Sequence, residues 1–379
     1  LGELDALFTM KELYRATLCL KNYKAPGEDG ITAEWMKMLL PPALAKMGGL
    51  KVLDDSDWEE TWEPEEGPSK LATVVLGTTN RVWEAQCVPK SWRVAELVNV
   101  FKKGNPTEMD NYRGISLMPV ELKITTVVVT ERIVRVLERE RLLAMEQAGF
   151  RWGEECPAQA VALIETIQRR REQKLLSFLM FVDLSKAYDV VPHEAMFAKL
   201  YQIGVRGRML AYIRALYESS EVRVRGSSSA FRLNRGLRQG CPLSPILFDI
   251  FINDLYGRPD VVRTEMGVGI PGVPEKEGLL PGLLFADDLV AIAKSRQDMQ
   301  VQAHHVSRWC AQWEMKVGIS KCGVMCMGDK TDPEVMRQQE LLYLAPIRIS
   351  FQDVPIKDEY TYLGIILTRD VDMRRMAVG

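Results

Sequence analysis

Apolar residues recur at helical spacing over residues 8–20, and the pattern breaks at Lys24-Ala25-Pro26-Gly27-Glu28-Asp29-Gly30, a run of turn formers. The helical pattern resumes over 31–40, stops at Pro41-Pro42, and returns over 71–87. Residues 95–101 alternate like a strand, and a long Arg-rich amphipathic helix is expected between Gly114 and about residue 143. Pro157 stands in the first turn of another helix, whose apolar face is Ala160, Leu163, Ile164 and Ile167. Phe178-Leu179-Met180-Phe181-Val182 is different: wholly apolar, short, and ended by Asp183. That is the pattern of a strand buried on both faces. Helices are expected over 193–203, 207–219 and 242–256, with a hairpin of 221–225 and 231–233 around Gly226-Ser227. A short strand is expected over 266–270. Leu283-Leu284-Phe285 and Leu289-Val290-Ala291-Ile292 flank Ala286-Asp287-Asp288 as two more apolar strands. Ser295 and Asp298 open a long helix in the manner of a capping box, with Met299, Val306, Trp309 and Trp313 inward. Short strands and loops are expected beyond it. Strands interleaved with helices give an α+β or mixed α/β class.

Composition adds bounds rather than identity. The 379 residues are 47 % hydrophobic and 26 % charged, ordinary for a globular chain too long for one small core. No stretch approaches the roughly 20 apolar residues that span a bilayer. The start, Leu1-Gly2-Glu3-Leu4-Asp5, lacks Met and the features of a signal peptide, and reads as part of something longer. Seven Cys without repeating spacing argue against a disulfide framework and fit a reducing, intracellular compartment. Cys310, Cys322 and Cys326 with His304 and His305 match no common zinc spacing.

Net charge is −2, but its distribution is uneven. Residues 54–66 hold eight acids and no base, and without them the formal charge is +6. Residues 206–238 hold eight Arg against Glu218 and Glu221. A basic middle of this kind suits a phosphate backbone, though it also describes a solvated helix face and hairpin.

The chemistry sits in the acids at strand ends. Asp287-Asp288 lies between two apolar strands, and Asp183 ends another 104 residues earlier than Asp287. An Asp pair can simply make a turn. Three carboxylates at strand ends repel one another and call for a cation. Oxygen donors without His or Cys indicate Mg²⁺ or Mn²⁺ rather than zinc.

These residues are embedded in a larger set. Phe285-Ala286-Asp287-Asp288 resembles the Phe/Tyr-Ala-Asp-Asp box of reverse transcriptases, and 181–189 (Phe-Val-Asp-Leu-Ser-Lys-Ala-Tyr-Asp) their first palm motif. Gly236-Leu237-Arg238-Gln239-Gly240-Cys241-Pro242 resembles the Gln-Gly box. Phe101-Lys102-Lys103-Gly104 with Asn111-Tyr112-Arg113-Gly114-Ile115-Ser116-Leu117 resembles the fingers hairpin. Residues 24–31 are similar to an upstream element of LINE-like non-LTR retrotransposons. Gly318-Ile319-Ser320-Lys321-Cys322 and Tyr362-Leu363-Gly364 resemble the later palm motif and the primer grip. Seven boxes in the family's order, over residues 8–368, make the resemblance to a non-LTR retrotransposon reverse transcriptase.

The resemblance implies a right-hand polymerase of α+β class: fingers over 1–175, with an N-terminal extension and an acidic insertion about 41–70, and a palm over 176–379. The palm sheet would be antiparallel and packed on helices, and the thumb largely missing. It implies an RNA template, a DNA primer, dNTPs and two Mg²⁺ ions, in the nucleus or cytoplasm. Asp183, Asp287, Asp288 and the Leu184 carbonyl would hold the metals. Arg113, with Lys102 or Lys103, would grip the triphosphate. Tyr188 would gate the sugar, Gln239 and Gly240 would line the nucleotide pocket, and Lys321 would protonate the leaving pyrophosphate. Tyr362, Leu363 and Gly364 would place the primer. The alternatives are a catalytically silent remnant that only binds nucleic acid, and a group II intron-type maturase or other RNA-templated polymerase.

Overall fold

The computed structural model describes residues 2–41, 44, 67–256, 267–274, 279–329 and 331–370. The acidic 54–66 run and most of the 41–70 insertion lie outside them. The strands are β1 (Val94–Phe101), β2 (Tyr112–Leu117), β3 (Ser177–Asp183), β4 (Glu221–Val224), β5 (Ala230–Arg232), β6 (Gly282–Phe285), β7 (Asp288–Ala293) and β8 (Gly323–Met327). Two small ribbons follow, Arg348–Ile349 with Gln352–Asp353 and Glu359–Tyr362 with Ile365–Thr368. Among the described residues no helix is long and apolar enough to cross a membrane.

The chain forms two compact units, and each takes two separate stretches: Leu1–Glu140 with His193–Leu247, and Arg141–Pro192 with Phe248–Gly379. In the first, Thr9 caps the helix Met10–Leu18 in a full capping box with Glu12. The helix Val120–Arg139 buries Leu122, Ile124, Val128, Val129, Ile133 and Leu137. From its middle, the guanidinium of Arg132 donates to both Glu12 carboxylate oxygens (2.6 and 2.8 Å) and to the carbonyls of Ala6 and Leu7. A mixed sheet of order β2-β1-β4-β5 completes this unit, with β1 and β4 parallel.

The second unit is built on an antiparallel sheet of order β6-β7-β3-β8. β3 is central and buried along its apolar length, as its unbroken apolar run requires. Leu179 and Phe181 face Leu163, Ile164 and Ile167 of the helix Cys156–Glu172, together with Tyr362 and Leu367. The helix Arg296–Gln312, capped by Ser295, also packs on β3 and β7.

Several expected elements differ. Residues 115–117 belong to β2 rather than to the start of the long helix, because they pair with β1. The helix expected over 31–40 is limited to Ala33–Lys37, and 38–40 continue as turns before Pro41. Over 267–270 there is one bridge, Val268 to Leu280, instead of a strand. Trp313 is the C-cap of its helix and only half-buried. A helix at Pro333–Leu344 stands where only strands and loops were expected; Asp332 caps it and Pro333 occupies its first turn.

Burial opposes the charge of Glu12, yet the Arg132 and Thr9 hydrogen bonds hold its carboxyl below the usual range. Arg132→Ala leaves that carboxylate half-sequestered and unpaired. It is expected to lower the unfolding free energy by about 3–5 kcal/mol, measured by denaturant titration at neutral pH. Because the folded pKa is depressed, this contribution is present above the unfolded value of about 4.3 and fades as pH falls below it. The gap between the two proteins should close accordingly in acid.

Candidate active site

The pleat of β3 places Leu179, Phe181 and Asp183 on one face, and the register sets Ile292, Val290 and Asp288 of β7 opposite them. Two carboxylates therefore end an apolar face, directly across from each other, an arrangement that is destabilising unless compensated. Asp287 is the second residue of the two-residue loop joining β6 to β7, since Phe285 pairs with Asp288. Its charge is felt by Tyr188, whereas the charges of Asp183 and Asp288 are felt by Tyr360.

The electrostatics fit a hard cation. Asp288 is exposed as a residue, yet partial desolvation of its carboxyl, then the charges of Asp287 and Asp183, push it up to about 6. Asp183 Oδ2 is sealed from solvent and has no hydrogen-bond partner. The donors are all oxygen, the set that Mg²⁺ or Mn²⁺ prefers. Among the described residues no three His, Cys, Asp or Glu side chains converge as a finished metal cage. The structure supplies a pair across the sheet and a third carboxylate one residue along the loop.

A loop from Lys316 to Cys322 holds the end of β3. Gly318 donates its N–H to the Asp183 carbonyl and Ser185 donates to the Lys316 carbonyl, both at 2.8 Å. These bonds flank a Leu184–Val317 bridge and leave the Leu184 carbonyl outside the pairing. The Asp183 N–H points at Cys322 Sγ, 3.4 Å away. A Cβ on Gly318 would stand 2.5 Å from Asp183 Oδ2, so a side chain there would have to displace the Asp183 carboxylate. Lys321 Nζ is 3.7 Å from Asp183 Oδ1 on a largely exposed side chain. The Tyr360 hydroxyl donates to the Lys321 carbonyl, and its ring stacks on Phe181 at 4.1 Å.

The β6–β7 loop is strained. Ala286 has φ +56°, the left-handed conformation that tight hairpins ask of Gly or Asn and that costs other residues about 1–2 kcal/mol. The buried Gln147 side chain holds it on both sides: Oε1 accepts from the Ala286 N–H at 2.9 Å, and Nε2 donates to the Ala286 carbonyl at 3.3 Å. Sequence reasoning passed over Gln147, because a buried amide reveals its partner only in three dimensions.

Tyr188 is half-buried, with its ring stacked on Phe248 at 4.7 Å. Its hydroxyl is buried without a hydrogen-bond partner, and burial, Asp249 and Asp287 raise its pKa. Tyr362 belongs to the core against Phe181. In the turn beyond it, at φ +49° and +80°, Leu363 is half-buried against the same core and Gly364 is exposed.

In the first unit, Arg113 pairs with Val100 across the β1–β2 hairpin, and the Lys102 N–H donates to the Asn111 carbonyl. By the period of two, Lys102 and Arg113 share a face. Lys103 follows in the bend, so the hairpin separates two lysines that the sequence left equivalent. The Gln-Gly box docks on the same hairpin: Ser116 donates to the Gln239 carbonyl at 2.8 Å, and Gly240, at φ +104°, passes against the Ser116 carbonyl. The Arg-rich 206–238 region is less available than its composition suggests. Arg214, Arg223 and Arg225 are ion-paired with Glu194 and Glu218, Glu28 and Glu96. Arg238 is buried among Ser220, Arg93 and Leu216. Arg113, by contrast, has no anionic partner among the described residues.

The reverse transcriptase (RNA-dependent DNA polymerase) family matches residues 100–367, and the chain belongs to that family. Its relatives include a probable RNA-directed DNA polymerase from transposon BS of Drosophila melanogaster, 27 % identical over 76 % of this chain and 31 % of the relative. The RNA-directed DNA polymerase from mobile element jockey of the same species is 23 % identical over 97 % of this chain and 36 % of the relative. The chain thus spans about a third of the length of these curated relatives. A solved structure of apo telomerase from Candida tropicalis, truncated from its C-terminal domain, aligns over 92 % of this chain and 66 % of that one, at 11 % identity and TM-score 0.47.

Two glycines make a paired test of this packing. Gly318→Ala is expected to destabilise the protein by about 1–3 kcal/mol through overpacking against Asp183. Gly77 lies within the helix Lys70–Ala85 with open space around it, and Gly77→Ala is expected to stabilise by up to about 1 kcal/mol. Thermal or denaturant unfolding of both variants reads the opposite signs.

Proposed function

We propose that this chain is the polymerase part of a retrotransposon RNA-directed DNA polymerase, extending a DNA primer on an RNA template by nucleotidyl transfer. The observation that carries this reading is Asp183 set opposite Asp288, with Asp287 in the intervening loop, at the end of a buried antiparallel sheet in a chain of the reverse transcriptase family. In this reading residues 1–175 are fingers and 176–379 palm.

Asp183, Asp287, Asp288 and the Leu184 carbonyl would hold the divalent cations, Mg²⁺ or Mn²⁺. When bound, two such ions would supply positive charge beside the attacking 3′-hydroxyl and the leaving pyrophosphate. The protein's own part is positioning. The Lys316–Cys322 loop and the β6–β7 turn fix the carboxylates. Arg113 would take the triphosphate in the forked geometry of a guanidinium, with Lys102 beside it on the hairpin face. Gln239 and Gly240 would line the nucleotide, and the Leu363-Gly364 turn would meet the primer end. Lys321, whose Nζ lies 3.7 Å from Asp183 Oδ1, would give a proton to the departing pyrophosphate. The Tyr188 ring, fixed by Phe248, would occupy the space that a ribose 2′-hydroxyl needs.

Primer extension on an RNA template with dNTPs and Mg²⁺ tests the reading. Asp287→Asn, or removal of the metal with a chelator, is expected to lower the rate by at least about a hundredfold. An Asp287→Asn protein as active as the unaltered chain would overturn the assignment. Tyr188→Ala is expected to raise ribonucleotide incorporation relative to deoxynucleotides by about tenfold, read from competition assays. An unchanged ratio would remove Tyr188 from the sugar gate.

A further inference from the structure

We propose that Gln147 is a positioning residue for the Asp287-Asp288 turn, its carboxamide locking the Ala286 peptide in the conformation that presents both carboxylates. The proposal rests on the polymerase reading of those carboxylates. Gln147 is 1 % exposed and makes three hydrogen bonds at this turn. Its Oε1 accepts from the N–H groups of Ala286 (2.9 Å) and Gly149 (2.8 Å), and its Nε2 donates to the Ala286 carbonyl (3.3 Å). The flipped amide would face its NH₂ to two N–H groups, so the network fixes the orientation.

The residues around Gln147 bring it there through backbone. Residues 146–148 run beside β6 as a short parallel bridge: Leu284 donates to the Glu146 carbonyl at 2.8 Å and Ala148 to the Leu284 carbonyl at 2.9 Å. From the helix Cys156–Glu172, Gln159 Nε2 reaches both the Glu146 and Leu284 carbonyls. Arg151 donates to the carbonyls of Ala144 and Gln147. Gly149 approaches so closely that an added Cβ would sit 2.3 Å from the Ala286 nitrogen. The segment is thus pressed against the turn, with one amide side chain closing both polar groups of a residue whose backbone is otherwise disfavoured.

The chemistry of the position is specific. Glutamine supplies an acceptor and a donor at once. Glutamate could still accept from the two N–H groups but could not donate to the carbonyl when ionised, and it would add a fourth negative charge near three others. Methionine fills similar space and makes none of the bonds.

The test compares the unaltered chain with Gln147→Met and Gln147→Glu by amide hydrogen exchange and by primer extension. In Gln147→Met the Ala286 amide should exchange at least about tenfold faster relative to the β3 amides 178–182, which serve as internal standard. The kcat should fall about ten- to a hundredfold while the dNTP KM stays within about twofold. Gln147→Glu should recover part of the exchange protection. Unchanged Ala286 exchange in Gln147→Met would overturn the lock, and faster exchange with unchanged kcat would overturn the positioning role. Loss of β3 protection in both variants would make Gln147 a general core residue and also overturn it. If the unaltered chain extends no primer, the polymerase reading fails, while the exchange comparison still decides the lock.

Discussion

Two like charges facing each other across a buried sheet are the constraint on which the second unit is organised. Asp183 and Asp288 are cross-strand partners at the end of β3 and β7, the next pair on the same face after Phe181 and Val290. Isolated in a short hairpin, such a pair would fray the ends of its strands. Here β3 is flanked by β7 and β8 and buried along its apolar length, so the charges sit on a platform that cannot yield by local opening. The apolar run before Asp183 and the acid itself are therefore one device: burial supplies the rigidity that the charge would otherwise undo.

Three of the left-handed non-glycine residues lie around the same segments. Lys186, Ala286 and Leu363 are all non-glycine residues with positive φ, at 51°, 56° and 49°. Lys186 follows β3 by three residues, Ala286 opens the β6–β7 loop, and Leu363 lies in the turn after Tyr362. Such conformations persist where surrounding contacts over-determine them. The contacts are visible for two of the three: the Gln147 amide on Ala286, and the Cys156 thiol on the Leu363 carbonyl. The Lys316–Cys322 loop adds a third tie, on the Asp183 backbone itself. Separate segments of sequence thus converge on one end of the sheet, each fixing a backbone position rather than filling a volume.

What the sequence disclosed follows from this division of labour. The five apolar residues before Asp183, the strands around Asp287-Asp288 and the Ser295 cap were legible because local pattern and final environment agree. Residues 115–117 were absorbed into a helix because their partner, β1, decides their state and no local period does. The helix at Pro333–Leu344 carried its signal in Asp332-Pro333-Glu334 and was overlooked among short segments. The arginines of 206–238 showed their number but not their partners, so composition overstated the free positive charge. Gln147 and the need for glycine at 318 depend on contacts across more than a hundred residues of chain, and nothing in the local pattern announces either.

The electrostatic state of the carboxylates joins these points to function. Lys321 is the cation beside Asp183, but at 3.7 Å and 73 % exposed it sits in water, where a charge pair is worth little. Asp288 is exposed as well, so water screens part of the repulsion from Asp287 and Asp183 that raises its carboxyl. The folded chain therefore carries a solvent-screened unfavourable term where β3 meets β7. A divalent cation bound there would relieve that term, so that binding and folding are linked in sign: an ion preferring the folded state stabilises it. The rigid sheet and the backbone ties keep the carboxylates from escaping their mutual repulsion by moving apart. The fold thus preserves an electrostatic demand that a divalent cation would satisfy.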